Sequence, residues 1–78
     1  PGYANGYFWR AEAHRARGLL PQALKDLEKT LSLQPEHALA YLSRGLVRGA
    51  LGDGKGRIAD FKRARKINPN LFNSGALH

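Results

Sequence analysis

Two stretches of the chain carry apolar residues at the spacing of an α-helix. Most neighbouring apolar positions lie three or four residues apart, which places them on one side of a helix. The two stripes are Ala23, Leu24, Leu27 and Leu31 in the first stretch and Ile58, Phe61, Ala64 and Ile67 in the second. The alternation of apolar and polar residues that is typical of strands is absent from the sequence. The pattern therefore predicts an all-α fold.

Glycine and proline residues mark where these helices begin and end. Gly18 and Gly52 fit the residue after a helix C-terminus, where glycine adopts a left-handed conformation. Pro21 fits the first turn of a helix, where its missing N–H costs nothing. The sequence thus predicts four helices, over about residues 4–17, 21–34, 37–51 and 55–67.

The sequence resembles itself when it is shifted by 34 residues. Identical residues coincide in the pairs Tyr7/Tyr41, Arg10/Arg44, Ala16/Ala50, Gly18/Gly52, Asp26/Asp60 and Pro35/Pro69. Similar residues coincide in the pairs Leu24/Ile58, Leu27/Phe61, Lys29/Arg63 and Leu33/Ile67. Such a period is typical of a two-helix unit that stacks on its neighbours to bury its apolar face. The chain therefore divides into a first unit (4–35), a second unit (36–69) and a tail (70–78) that forms a cap or begins a third unit.

The repeated residues resemble the tetratricopeptide repeat family, whose pattern is W-x-x-L-G-x-x-Y … A-x-x-x-F … P. In the second unit the matching segments are 41–45, 51–53, 58–61 with Ala64, and 67–70. In the first unit the matching residues are Tyr7, Ala11, Gly18, Ala23, Leu27 and Pro35. The resemblance implies a solenoid of helical hairpins, here with two tetratricopeptide-like repeats.

The second unit departs from the family pattern more than the first. Arg48 stands where the family prefers a large aromatic residue, and Arg57 stands where it prefers alanine. We expect Arg57 to face Gly45 across the hairpin and to direct its guanidinium group outwards. The second hairpin is therefore expected to be looser than the first.

The length and composition limit how stable two such units can be alone. The chain has 78 residues and no cysteine, which excludes a disulfide or a thiolate zinc site and leaves the compartment open. One core of this size rarely supplies more than about 3–5 kcal/mol. Because two stacked units leave both ends apolar, we expect flanking repeats, self-association or a larger complex.

Most of the net charge of +7 lies in the second half of the chain. The first unit has a net charge of +2 and the rest of the chain +5. The last predicted helix carries a basic face of six residues: Lys55, Arg57, Lys62, Arg63, Arg65 and Lys66. We expect Lys62, Arg65 and Lys66 to share one side of this helix, opposite the second apolar stripe.

Two interpretations of the basic face remain open. It is either a solvated outer surface, with cations favourably placed near a helix C-terminus, or a contact for an acidic protein, nucleic acid or anionic lipid. Nucleic acid is the less favoured partner, because Tyr7, Phe8 and Trp9 are not interleaved with the basic residues. A membrane span is not expected, because the longest apolar run has about five residues and a span needs about 18.

The sequence contains no residue set typical of catalysis, so we expect a non-enzymatic protein without a cofactor or metal. Residues 52–57 are rich in glycine but lack the spacing and the Ser or Thr of a phosphate-binding loop. The three histidines never occur at the spacing of a helical metal-binding pair. Asp26 and Asp60 are expected to make ordinary surface ion pairs with nearby bases, namely Lys25, Lys29 and Arg63.

The family resemblance also implies a concave groove that holds a partner protein or peptide. Transferred position by position, the groove consists of Asn5, Phe8, Trp9, Glu12, Arg15, Leu39, Leu42, Ser43 and Leu46. Phe8 and Trp9 either anchor a ligand or pack against a preceding repeat. The sequence therefore predicts a protein–protein interaction scaffold. The alternative is a subunit of a larger assembly that docks an acidic protein surface or nucleic acid through the basic face.

Overall fold

The computed structural model describes residues 4–72 as four α-helices and one short 3-10 helix. The helices are α1 (Ala4–Ala16), α2 (Leu20–Leu33), α3 (Ala38–Ala50) and α4 (Gly54–Ile67), and the 3-10 helix is Pro69–Phe72. These residues contain no strand, so the prediction of an all-α fold with four helices is confirmed. Of the predicted tail, 70–72 lie in the 3-10 helix and 73–78 lie outside the described residues. None of the helices in residues 4–72 is long and apolar enough to cross a membrane.

The ends of α1 and α3 depend on glycine. Gly18 and Gly52 follow these two helices with φ angles of 76° and 91°. Both angles lie in the left-handed region, which glycine adopts without the steric cost of a Cβ atom. Pro21 lies in the first turn of α2, as the sequence predicts.

Side chains cap the N-termini of the two helices of the second hairpin. The Nδ1 atom of His37 accepts a hydrogen bond from the backbone N–H of Ala40 at the start of α3 (3.1 Å). The carboxylate of Asp53 accepts one from the N–H of Gly56 at the start of α4 (2.8 Å). In the first hairpin, Leu19 precedes α2 without a side-chain cap. The caps from His37 and Asp53 each accept a backbone N–H that the helix itself leaves unpaired.

Each helix packs against the next one along the chain. α1 and α2 form the first hairpin, α3 and α4 form the second, α3 lies on α2, and α1 also touches α3. The core cluster consists of Phe8, Ala11, Ala23, Leu27, Leu31, Ala40 and Val47. These residues all come from α1, α2 and α3, so the core lies where those three helices meet.

The two predicted apolar stripes differ in how deeply they are buried. In the first stripe Ala23, Leu27 and Leu31 are buried, as predicted. In the second stripe Ala64 is buried, but Ile58 is 51% exposed. The reason is that α2 packs against two helices, α1 and α3. Among the described residues α4 packs against one helix, α3, and against the short 3-10 helix.

The close approach of α4 to α3 requires glycine, although in a different pairing from the predicted one. A Cβ atom at Gly45 would lie 2.7 Å from Cε1 of the Phe61 ring. Arg57 packs one turn further along α3, where its Cδ would lie 2.7 Å from a Cβ at Gly49. The prediction that Arg57 faces Gly45 is therefore wrong by one helical turn, because the Phe61 ring occupies that place.

Candidate functional site

Four apolar side chains of the predicted groove lie at or near the surface of α1 and α3. Trp9 is 66% exposed, Leu39 and Leu46 are also exposed, and Leu42 is half-buried. We call Trp9, Leu39, Leu42 and Leu46 the apolar stripe. The leucines lie three or four residues apart in α3, which places them on one side of that helix.

Phe8 and Ser43 belong to the interior and not to the groove surface. Each is only 5% exposed, so the prediction that they line an open groove is wrong. The ring of Phe8 packs against the ring of His37, with centroids 4.8 Å apart, and edge-on against Trp9 at 5.1 Å. Phe8 thus packs within its own chain, on the side of α1 that faces α3, and connects Trp9 to the start of α3.

The polar members of the predicted groove flank the apolar stripe on α1. Asn5 is exposed. Arg15 donates a hydrogen bond from Nη2 to Oε1 of Glu12 (2.7 Å), one turn away on the same helix. This hydrogen bond raises the pKa of Arg15, against the opposing effect of its partial burial. The pair neutralises its own charge, so this side of α1 presents little net charge.

His37 lies at the junction of α1 and α3 and is neutral in this arrangement. Its Nδ1 atom can accept the N–H of Ala40 only while that nitrogen carries no proton. Burial lowers the pKa of His37, which favours the same neutral form. His37 therefore caps α3 and supports Phe8 at once.

Two buried carboxylates hold the hairpins together, and the sequence predicted neither role. Arg10 of α1 donates two hydrogen bonds to Asp26 of α2, at 2.7 and 2.8 Å. Arg44 of α3 donates two to Asp60 of α4, at 2.9 and 3.0 Å. The prediction that both aspartates make ordinary surface pairs is wrong, because both side chains are buried between the helices.

Each buried carboxylate has a second basic neighbour at the same repeat position. Nε2 of His14 lies 3.6 Å from Asp26, and Nη1 of Arg48 donates to Asp60 at 3.1 Å. The hydrogen bond from Arg10 holds the pKa of Asp26 below its ordinary value, although burial opposes this shift. Arg48 thus stands where the tetratricopeptide pattern has an aromatic residue, and it forms an ion pair there with the carboxylate of Asp60.

Both hairpins also place a tyrosine ring next to two cations. Arg10 and Lys29 lie 5.6 and 5.8 Å from the centre of the Tyr7 ring. The matching cations beside Tyr41 lie at 5.5 and 5.8 Å and belong to Arg44 and Arg63. Cations at this distance interact favourably with the ring face. The signal for these clusters was present in the repeat, since every member recurs 34 residues later as the same or a similar residue.

The basic face of α4 is exposed at all six positions, as predicted. Its placement relative to the apolar residues of α4 is different from the prediction. Lys62 and Arg65 line the same open cavity as Ile58 and Phe61, with a volume of about 280 Å³. They lie beside the apolar residues and not opposite them, because the buried side of α4 is the side of Asp60.

The described residues offer no arrangement suited to a metal ion. Within residues 4–72 no group of three His, Asp or Glu side chains lies close enough to hold one. The glycine-rich segment 52–57 covers the end of the turn before α4 and the first residues of α4, and the carboxylate of Asp53 occupies the position where an anion would meet the N–H of Gly56. What the surface offers is an apolar stripe and a basic face, which are features of binding surfaces.

Comparison with known proteins gives a distant similarity to part of a longer protein. No protein-family model matches the chain. Among curated proteins, the chain is similar to U-box domain-containing protein 70 of Oryza sativa subsp. japonica, with 31% identity over 61 residues. The matched residues are 78% of this chain but the chain covers only 8% of that protein. The similarity thus concerns one short segment of a much longer polypeptide.

Proposed function

We propose that this chain is a tetratricopeptide-like module of two units that binds a partner protein or peptide and is not itself an enzyme. The observation that carries this proposal is the exposure of the apolar stripe. Trp9, Leu39 and Leu46 present large apolar side chains to solvent on α1 and α3, which pack against each other. Covering apolar area contributes roughly 25 cal/mol per Å², and a tryptophan is a frequent centre of such contacts.

The contacts beside the apolar stripe support the proposal. The Phe8 ring packs against both Trp9 and His37, which lies two residues before Leu39. The buried pair of Arg10 and Asp26 fixes α1 to α2. A surface that is held in place before its partner arrives loses less conformational entropy on binding.

The chain is similar to a short segment of a much longer polypeptide. A module of this size would act as one part of a larger polypeptide or assembly, in which further surface covers the ends of the stack. The rim of Asn5, Glu12 and Arg15 has little net charge, so we expect the stripe to select its partner mainly by apolar contacts.

A second candidate function uses the basic face. Among residues 4–72, Arg63 pairs with Glu36 (2.9 Å), but no other member of the basic face has a carboxylate within ion-pair distance. Unpaired cations on one side of a helix favour an acidic protein surface or a nucleic acid. In this alternative the chain is a subunit that docks through α4.

The apolar stripe can be tested with peptides selected from a displayed library of short random sequences. Trp9 is the single tryptophan of the chain, so its emission reports directly on this surface. We expect selected peptides to shift the Trp9 emission to shorter wavelength. We expect Leu46→Ala to weaken binding about tenfold or more. Leu51→Ala is the matched control, because Leu51 is an exposed leucine at the end of α3 outside the stripe.

Salt separates the two candidate functions. Binding through the apolar stripe should survive about 0.5 M NaCl, whereas binding through phosphate or carboxylate contacts should fall steeply with salt. If selected peptides leave the Trp9 emission unchanged, or if Leu51→Ala weakens binding as much as Leu46→Ala, the stripe is not the binding surface. If binding instead disappears with salt, the basic face is the better assignment.

A further inference from the structure

The outer side of α4 corresponds to a surface that is covered in the first hairpin. α3 packs on α2, where Leu27 and Leu31 are buried. The residues of α4 that lie 34 positions after this surface of α2 form a surface that we call the α4 outer face. It consists of Arg57, Ile58, Phe61, Lys62 and Arg65.

The α4 outer face keeps the apolar centre of its counterpart. Ile58 replaces Leu24 and Phe61 replaces Leu27, and both line the cavity described above. Ile58 is half exposed, whereas its counterpart Leu24 is partly buried and packs against the core. One side of the Phe61 ring lies against Gly45, and another borders the cavity. The α4 outer face thus has an open cavity with an apolar floor, at the place equivalent to the one where α3 packs on α2 in the first hairpin.

The charge around this floor is different from that on α2. Lys62 replaces Glu28, and Arg65 replaces the buried Leu31. Both cations are exposed and line the cavity. A helix that packs here therefore meets two positive charges at positions where α3 meets a carboxylate and a leucine.

A second copy of this chain does not fit these charges. Glu28 of α2 lies near Arg44 of α3 and adds, after the larger effect of Asp60, to the raised pKa of Arg44. If α1 of another copy packed on α4 as α3 packs on α2, Arg10 would face Lys62. Like charges across an interface oppose association. Residues 73–78 contain no Asp or Glu, so they supply no complementary charge either.

We infer that the α4 outer face is a docking surface for an acidic amphipathic helix of a partner protein. Small apolar residues of that helix cover Ile58 and Phe61, and its carboxylates pair with Lys62 and Arg65. This surface is separate from the apolar stripe, so the inference does not depend on a ligand binding at Trp9. The inference names an acidic helix as the partner of Lys62 and Arg65 in the basic face, and it places this helix over Ile58 and Phe61.

α3 itself provides the probe for this inference. The first peptide has the sequence of residues 37–51, and the second has the same sequence with Arg44→Glu, which replaces repulsion of Lys62 by attraction. Both are stapled on the side away from Ala40 and Val47, because short helices are marginal in water. Binding of each labelled peptide to the complete 78-residue chain is measured by fluorescence anisotropy.

The charge-altered peptide is expected to bind about tenfold more tightly than the unaltered one. Lys62→Glu in the chain should reverse this preference, and Ile58→Ser should weaken both peptides. Lys55→Glu is the matched control: it makes the same change in net charge at an exposed position that does not line the cavity. Circular dichroism checks that these exposed substitutions leave the fold intact.

Three outcomes would overturn the inference. The first is failure of the charge-altered peptide to bind the wild-type chain. The second is an equal effect of Lys55→Glu and Lys62→Glu, or no effect of Ile58→Ser, since either result means general attraction to a basic protein. The third is self-association of the chain in light scattering that Ile58→Ser abolishes, because the occupant would then be a second copy.

Discussion

The two hairpins share their electrostatic contacts and differ in their packing. Each has a buried aspartate held by an arginine with two hydrogen bonds, and each has a tyrosine next to two cations. In the second hairpin, however, Phe61 packs on Gly45, whereas the first hairpin has Ala11 and Leu27 at the equivalent positions. A smaller residue on one helix compensates for a larger one on the other. Directional hydrogen bonds fix the helix register in both hairpins. The side-chain volume between the two helices, in contrast, can come mainly from either helix as long as the total is conserved.

The largest expected effect concerns the buried carboxylates. Asp60→Asn removes the counter-charge of Arg44 and Arg48, and we expect a loss of about 3 kcal/mol in the free energy of unfolding. Asp26→Asn should cost less, because the Arg10 side chain is 60% exposed and regains water, whereas Arg44 is 19% exposed. Urea denaturation followed by circular dichroism measures both.

The control for this comparison is the pair of Glu36 and Arg63, whose side chains are 70% and 43% exposed. Glu36→Gln should change the free energy of unfolding by only about 0.5 kcal/mol, since exposed pairs contribute little. Equal losses for Asp26→Asn and Asp60→Asn would show that the exposure of the arginine does not decide the cost.

The next effect concerns the helix contact in the second hairpin. Gly45→Ala places a Cβ atom against the Phe61 ring and should destabilise the chain by about 1–3 kcal/mol. Adding Phe61→Leu should recover much of the loss, because it restores the combination of sizes found in the first hairpin. Thermal denaturation of the single and double variants measures the recovery.

Gly6 provides the matched glycine control in the first hairpin. It is exposed in α1 and no atom lies within 4 Å of a Cβ built there. Gly6→Ala should therefore stabilise the chain by about 0.5 kcal/mol through helix propensity. If Gly45→Ala is equally stabilising, Phe61 does not require the glycine.

A smaller effect distinguishes the two capped helices by pH. Because burial lowers the pKa of His37, the unfolded chain takes up a proton there before the folded chain does. Stability contributed by neutral His37 should fall as the pH drops below about 6.5, until the pKa of the folded state is passed. The cap of α4 is provided by Asp53 instead, so this pH dependence concerns the start of α3.

His37→Asn tests this pH dependence. Asparagine retains a side-chain acceptor at the N-cap but does not titrate, so the slope of stability between about pH 7 and pH 5 should become shallower. Urea denaturation of both proteins at several pH values gives the slopes. An unchanged slope in the variant would show that the pH dependence belongs to a group other than His37.

The smallest effect concerns the exposed cations beside the tyrosine rings. Lys29→Ala and Arg63→Ala should each cost about 0.5 kcal/mol, as expected for exposed cation–ring contacts. Arg63→Ala should cost slightly more, because Arg63 also donates to Glu36 (2.9 Å). Raising the salt concentration should remove most of that difference, and a difference that persists would point to packing by the arginine stem.

The element boundaries were predictable because they depend on local chemistry. Gly18, Gly52 and Pro21 determine backbone conformation at single positions, so their roles can be derived from the sequence. The burial of Ile58 was not predictable in this way. Its apolar character and helical spacing are the same as those of Leu24, and only the neighbouring helix determines whether such a residue is covered.

The candidate sites show the same limit. The exposure of Trp9 and of the basic face agrees with the sequence, whereas the burial of Phe8 and Ser43 depends on how α1 and α3 meet. The buried aspartates were assigned to the surface because neighbouring bases in the same helix offer plausible partners. Their actual partners, Arg10 and Arg44, lie sixteen residues earlier on the facing helix. The periodicity of a single helix gives no indication of pairs between two helices.

By itself the sequence determined the repeat, the four helices and the concentration of positive charge in the second half of the chain. These follow from periodicity, from the conformational limits of glycine and proline, and from counting charges. Only the tertiary structure decided that Asp26 and Asp60 are buried, that Phe61 occupies the space at Gly45, and that Lys62 lies beside Ile58. The physical reason is that burial and pairing across helices depend on which faces meet, and that is decided by packing of the whole chain.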